Sequence, residues 1–315
     1  MSALTLVLAL PFALTLHTVR EPRPLITDLA ANPTPLGYTW SLSLFILPVL
    51  VLACWLAQRR ESRPQFHAFY LTAAGVALAG VFLDVAFGRT FFTFPNTGAV
   101  LGLHFPGWSF TDGWAVVLPV EELGFYLFGA LAVLLVYVWG DEFWFAAYNV
   151  DDADRRRVPG KGLAGVHPWS ILWAAVLFGA GWAFKKFAPG VDHTGFPGYL
   201  LFLTLIAFTP SVLFYPVARP FINWRAFSLA FLFILFLSLF WEAVLAVPYQ
   251  WWGFQSRSMV GLFINGFCGL PIEEPLLWIG VTWAAIILYE TISTWNFQRA
   301  EARAAALMTE RSEFR

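Results

Sequence analysis

Leu118-Pro119-Val120-Glu121-Glu122-Leu123-Gly124-Phe125-Tyr126 opens one long apolar run, and Leu270-Pro271-Ile272-Glu273-Glu274-Pro275-Leu276-Leu277-Trp278 opens another. Each stretch sets Pro-x-Glu-Glu at the mouth of a hydrophobic segment. Tyr137 and Tyr289 follow the second glutamates at the same spacing. Carboxylates are costly in hydrocarbon and are kept there for function. A duplicated pair therefore points to a polytopic helical protein with an internal repeat and a polar task inside it.

Composition agrees. The chain is 59% hydrophobic and 12% charged, and it holds only three lysines, Lys161, Lys185 and Lys186. A soluble domain carries about 25% charged residues. Runs of roughly 20 apolar residues are enough to cross the bilayer as helix. They predict an all-α transmembrane bundle of about seven helices, at 38–57, 67–87, 115–139, 168–186, 199–217, 225–247 and 271–294. The run 4–16 is interrupted by Pro11 and is short for a span. No basic stripe points to nucleic acid. Cys54 and Cys268 read as buried reduced thiols without metal-ligand spacing.

Positive charge orients the bundle. Arg59, Arg60 and Arg63 follow the first helix, and Arg155, Arg156, Arg157 and Lys161 follow the third. Arg219 and Arg225 lie between the fifth and sixth, and Arg299, Arg303, Arg311 and Arg315 follow the seventh. All four clusters fall on one side, which places the C-terminus in the cytoplasm of a cell-membrane protein. Lys185 and Lys186 oppose this trend and are expected to snorkel.

The repeat extends beyond the glutamates. Asp84 stands in the second helix of one unit and Glu242 in the second helix of the other. An odd connecting helix gives both units the same orientation, so two three-helix parallel repeats are expected. The corresponding division is an N-terminal segment 1–37, a first repeat 38–139, a linker and connecting helix 140–198, a second repeat 199–294 and a cytoplasmic tail 295–315. A pseudo-twofold axis along the membrane normal would bring both acid pairs to one cavity.

Proline suits the first helical turn, and the glutamates behind it would face free N–H groups and the positive end of the helix dipole. Adjacent side chains on a helix point about 100° apart, so one glutamate of each pair can face a cavity while the other orients a neighbour. Glu121, Glu122, Glu273 and Glu274 are thus candidates for proton transfer, with Asp84 and Glu242 as supporting acids. Glu290 reads as an interfacial anchor. Tyr137 and Tyr289 lie some 22 Å along their helices from these acids and read as belt residues or interhelix bonds. Trp108, Phe125, Tyr126, Trp252, Phe254 and Trp278, with Phe110, Trp114 and Trp251, supply ring faces that can stabilise a cation within about 6 Å.

The stretch Trp252-Gly253-Phe254-Gln255, the second acid motif through Trp278, and Tyr289-Glu290 together resemble the small membrane-integral, non-flavin lycopene cyclases. Leu118 to Glu122 with Phe125-Tyr126 is similar to the other domain of that family. The resemblance covers about 38–139 and 199–294. It implies closure of acyclic carotenoid ends to β-ionone rings, with no net redox change and no cofactor. A glutamic acid protonates C2, the C5=C6 bond attacks the C1 cation, and a carboxylate removes a proton from C6. It implies a lipid-dissolved carotenoid as substrate, with membrane lipids and other carotenoid-pathway enzymes as partners. Pro275, Leu277, Trp278 and Gln255 depart from the family pattern and bear on end-group specificity. A cyclase or hydratase acting on C50 carotenoids would use the same motifs.

Other classes fit less well. A retinal Schiff base needs a lysine in the last helix, which has none. His17, His67, His104, His167 and His193 lie in loops or at helix ends without an H-E-x-x-H pattern, so no metal is expected. A flavin or nicotinamide fingerprint is missing. A proton-coupled transporter shares the repeat and the membrane acids, but would place them at mid-membrane beside helix breaks.

Overall fold

The computed structural model describes residues 34–58, 65–150 and 165–313, with side chains to residue 303. Seven long helices dominate the described residues: α1 Gly37–Gln58, α2 Phe66–Leu83, α3 Glu121–Trp139, α4 Pro168–Phe187, α5 Gly198–Ala218, α6 Trp224–Trp241 and α7 Glu273–Glu313. All but α4 belong to the six spans long and apolar enough to cross a membrane. In α4 three tryptophans and the lysines of the last turn lower the hydropathy. The protein is an all-α, multi-pass membrane bundle. The run 4–16, Arg59, Arg60, Arg63, and the loop carrying Arg155 to Arg157 and Lys161 lie outside the described residues.

Helix packing follows the repeat. The central helices α3 and α7 touch each other, and each packs on three more: α3 on α1, α2 and α6, and α7 on α5, α6 and α2. Every one of these pairs has a counterpart when the first three helices are exchanged with the last three, whereas α4 lies against α5 outside the exchange. Small residues let the central helices approach: Gly129 of α3 faces the Trp278 ring of α7, and Ala284 and Ala285 are buried. Such close approach is how helices associate where no hydrophobic gradient drives them.

Both α2 and α6 end in a single π-helical turn that begins at the acid, Asp84–Gly88 and Glu242–Ala246. A π-turn adds a residue to the helical ring and often marks a functional site. The following loops form three short antiparallel ribbons: β1 Phe92–Thr93 with β4 Gly253–Phe254, β2 His104–Ser109 with β3 Gly113–Pro119, and β5 Phe263–Ile264 with β6 Leu270–Pro271. The β1–β4 ribbon joins one half to the other, with Phe92 opposite Phe254.

Three expectations change. Residues 115–119 belong to β3, so the third helix starts at Glu121 rather than 115. Pro119 and Pro271 therefore do not sit in the first helical turn; each ends a strand of a two-stranded ribbon, and such edge strands tolerate the missing N–H. The seventh helix does not stop at 294 but continues through the Ala/Glu/Arg-rich stretch to Glu313, as good helix formers favour.

At the opposite end from the glutamate pairs, Tyr137 and Tyr289 meet edge to face at 6.1 Å between centroids. Tyr137 Oη donates to Glu290 Oε1 at 2.5 Å and accepts from the Asn223 N–H at 3.2 Å. Glu290 is fully buried rather than interfacial. It ties α7 to α3, and Tyr137 carries the tie to the start of α6. Lys185 is buried within the chain and donates to the Ser256 carbonyl at 3.0 Å, while Lys186 donates to the His193 and Gly195 carbonyls.

Candidate functional site

The two glutamates of each pair divide their work in the same way. Glu121 Oε1 accepts the Leu101 N–H at 2.8 Å and the Thr39 hydroxyl at 2.5 Å. Glu273 Oε1 accepts the Val260 N–H at 2.5 Å. In both halves the first glutamate pins the preceding loop to the mouth of the helix. The second glutamate, about 100° further round the helix, turns inward. Glu122 and Glu274 line one cavity together with Glu242.

Each inward acid has a tyrosine beside it. Tyr38 Oη donates to Glu122 Oε1 at 2.7 Å, and Tyr199 faces Glu274 in the equivalent place. These residues begin α1 and α5, and a glycine precedes each: Gly37-Tyr38 and Gly198-Tyr199. The residue one turn beyond each inward glutamate serves the other acid. Tyr126 Oη donates to Asp84 Oδ1 at 3.1 Å, and Trp278 Nε1 donates to Glu242 Oε1 at 2.8 Å. Four acids, Asp84, Glu122, Glu242 and Glu274, thus gather from both halves, and all are buried.

The second half holds a further pairing. Glu242 and Glu274 are immediate neighbours on the wall of the chamber that both line. Glu242 Oε2 and Glu274 Oε1 are buried and take no hydrogen bond from any N–H or O–H group among the described residues. An ionised carboxylate only accepts, so two carboxyls can bond only with a proton between them. Leaving both charged and unpaired would cost several kcal/mol of desolvation, about 3–5 for a buried charge without its partner.

The cavity measures about 40 Å³, room for about one water molecule. Its walls are apolar and aromatic: Leu83, Phe92, Phe94, Phe125, Trp252, Phe254 and Leu277. Behind them Trp241 packs on Trp252 at 4.9 Å and on Phe125 at 6.1 Å between centroids, and Trp252 on Tyr38 at 5.0 Å. Among the residues singled out from sequence, Phe125, Tyr126, Trp252 and Phe254 reach the cavity, and Trp278 touches it through Glu242. Trp108 does not. It lies on the β2–β3 hairpin against Phe110, while Phe110 stacks on Phe87 and Trp114 is exposed. Trp251 is buried beside Tyr38.

Tyr38, Tyr199 and Trp241 were not anticipated. The Gly-Tyr pair repeated at the start of α1 and α5 was the available signal, but a tyrosine at a helix mouth is also what a membrane interface selects. No group of three or more His, Cys, Asp or Glu with metal-holding geometry occurs among the described residues. Comparison with protein-family models, curated proteins and solved structures finds no match to this chain.

Proposed function

We propose that this membrane protein is a lycopene β-cyclase. In this reading the proton held between Glu242 and Glu274 is delivered to C2 of an acyclic carotenoid end. The tertiary cation at C1 is attacked by the C5=C6 double bond, which forms the ring and moves the positive charge to C5. Glu122, supported by Tyr38 and close to Asp84, removes the C6 proton and leaves the ring double bond. One proton enters, one leaves, and no electrons are exchanged. The aromatic walls stabilise the two cations without attacking them. The small, apolar-walled cavity leaves little room for water beside the charge, and in this reading that separates ring closure from hydration.

The observation that carries the reading is the Glu242–Glu274 carboxyl pair. In this reading it supplies the proton, in a greasy chamber whose wall also bears a third acid, Glu122, and, among the described residues, no lysine, cysteine or serine. The arginines at the α5–α6 connection and beyond α7 support a cell-membrane orientation with the C-terminus in the cytoplasm. The substrate class, a lipid-dissolved carotenoid, follows from the motif resemblance and from the apolar surroundings of the acids.

Expression in cells that accumulate lycopene, followed by pigment chromatography, tests the proposal. β-Carotene is the expected product. Hydroxylated acyclic pigments would replace the cyclase reading with a hydratase, and unchanged lycopene in cells whose membranes contain the protein would reject a lycopene cyclase.

A further inference from the structure

The two halves match in their acids but differ in what stands beside them. Leu83 precedes Asp84 where Trp241 precedes Glu242. Leu277 lies one turn past Glu274 where Phe125 lies past Glu122. Leu83 and Leu277 join one apolar cluster around Tyr199. Phe125 and Trp241 join its counterpart around Tyr38, with rings stacked at 18°.

Each side also has a groove in the apolar face of the bundle. One, of about 300 Å³, runs between α2 and α5. The other, of about 370 Å³, runs between α1 and α6. They are counterparts under the exchange of halves. The α2–α5 groove adjoins the acid chamber across a shared wall of four residues, Leu83, Phe125, Tyr126 and Leu277. The α1–α6 groove reaches the chamber only at Phe125, behind the ring of Trp241.

We infer that the α2–α5 groove is the entrance and binding site for the chain of a long, linear, apolar substrate, and that the Phe125–Trp241 stack seals the equivalent groove on the other side. The identity of the reacting end rests on the cyclase reading; the placement of the chain rests on the groove. Leucine side chains part by changing rotamer. The Phe125 and Trp241 rings are held on several faces: Phe125 packs edge to face on Trp278 at 5.6 Å and on Tyr126 at 5.5 Å. Gly75 shapes the open groove. A Cβ built there meets nothing within 4 Å, so this turn of α2 is open and leaves space for a hydrocarbon chain to lie along the groove. The chamber is too small for a ten-carbon end as it stands, so the leucine side must yield on entry. With one entrance, a substrate with two reactive ends must leave and turn round, and the singly cyclised product appears free in the membrane before the doubly cyclised one.

The test uses the full chain in lipid nanodiscs with a long-chain alkane diazirine as photoprobe, and membranes supplied with lycopene. In the unmodified protein the probe should label α2 and α5 around Gly75 and Leu203, at least tenfold over α1 and α6. Gly75→Trp fills that space without a backbone clash. It should remove that labelling and lower turnover at least tenfold, while Leu44→Trp, on the exposed wall of the α1–α6 groove, should leave both unchanged. Adding Phe125→Leu and Trp241→Leu to Gly75→Trp should bring labelling to the α1–α6 groove. Equal labelling of the two grooves, or labelling confined to α1–α6, would overturn the assignment, as would a Gly75→Trp protein that turns over normally. Labelling as expected in a protein that makes no cyclic product would keep the entrance and reject the cyclase.

Discussion

Replacing one glutamate at a time within a single doublet separates anchoring from chemistry. Glu121→Gln keeps an oxygen in place for the Leu101 N–H and the Thr39 hydroxyl, now 2.8 Å and 2.5 Å from Oε1, but removes its charge. A hydrogen bond to a charged group contributes about 1.5–3 kcal/mol and a neutral one about 0.5–1.5, so two such bonds lose about 2 kcal/mol together. The expected result is a lower unfolding temperature in detergent with turnover within about threefold, since Glu121 does not line the cavity. Glu122→Gln also keeps an acceptor for Tyr38, but can no longer take a proton. General acid–base catalysis is worth about 10²–10⁴ in rate, which is about 2.7–5.4 kcal/mol of barrier. Turnover should fall by that factor with the fold intact. Both variants are read by pigment chromatography of membranes and by a thermal unfolding scan. Equal loss of turnover in the two variants, with unchanged unfolding temperatures, would refute the division of labour. So would full activity in Glu122→Gln.

The same division predicts that Glu273→Gln behaves as Glu121→Gln and Glu274→Gln as Glu122→Gln. Trp278→Phe keeps a ring against Phe125 but deletes the 2.8 Å donor to Glu242; losing one hydrogen bond to a charge-bearing group, about 1.5–3 kcal/mol, should slow turnover by about ten- to a hundredfold, measured as the initial rate. Tyr137→Phe removes the bridge between Glu290 and the Asn223 N–H. It should cost about 2 kcal/mol of stability and leave the rate untouched, because the bridge lies four turns from the chamber. Burial pushes the Cys268 thiol above its usual range, so less of it is thiolate at a given pH. A water-soluble methanethiosulfonate should modify it more slowly than a free thiol at pH 8, and the gap should narrow as the pH is raised.

Much of the site was legible in the chain, for a physical reason. Acids inside apolar runs are too costly to be incidental, and their duplication in Glu121-Glu122 and Glu273-Glu274 survives in any fold that spans a membrane. The second-helix acids Asp84 and Glu242 were visible by the same cost. The start of α3 was misplaced because 115–118 is as apolar as the helix that follows. Its pairing with 104–109 to make a hairpin is a choice of strand over helix that hydropathy does not record. Trp108 went to that hairpin for the same reason.

Sequence by itself determined the class: long apolar runs must close their backbone hydrogen bonds within helices, and the repeated motif required two like halves. Tertiary structure alone decided which glutamate of each pair turns inward, since that depends on where Leu101 and Val260 offer their N–H groups. It also decided that Tyr38 and Tyr199 come to the acids from the starts of other helices, and that Glu242 meets Glu274. Finally, it decided that two leucines stand on one side of the chamber where a stacked Phe and Trp stand on the other. These are contacts between different helices and loops, fixed by how those elements pack on α3 and α7 rather than by what either helix contains.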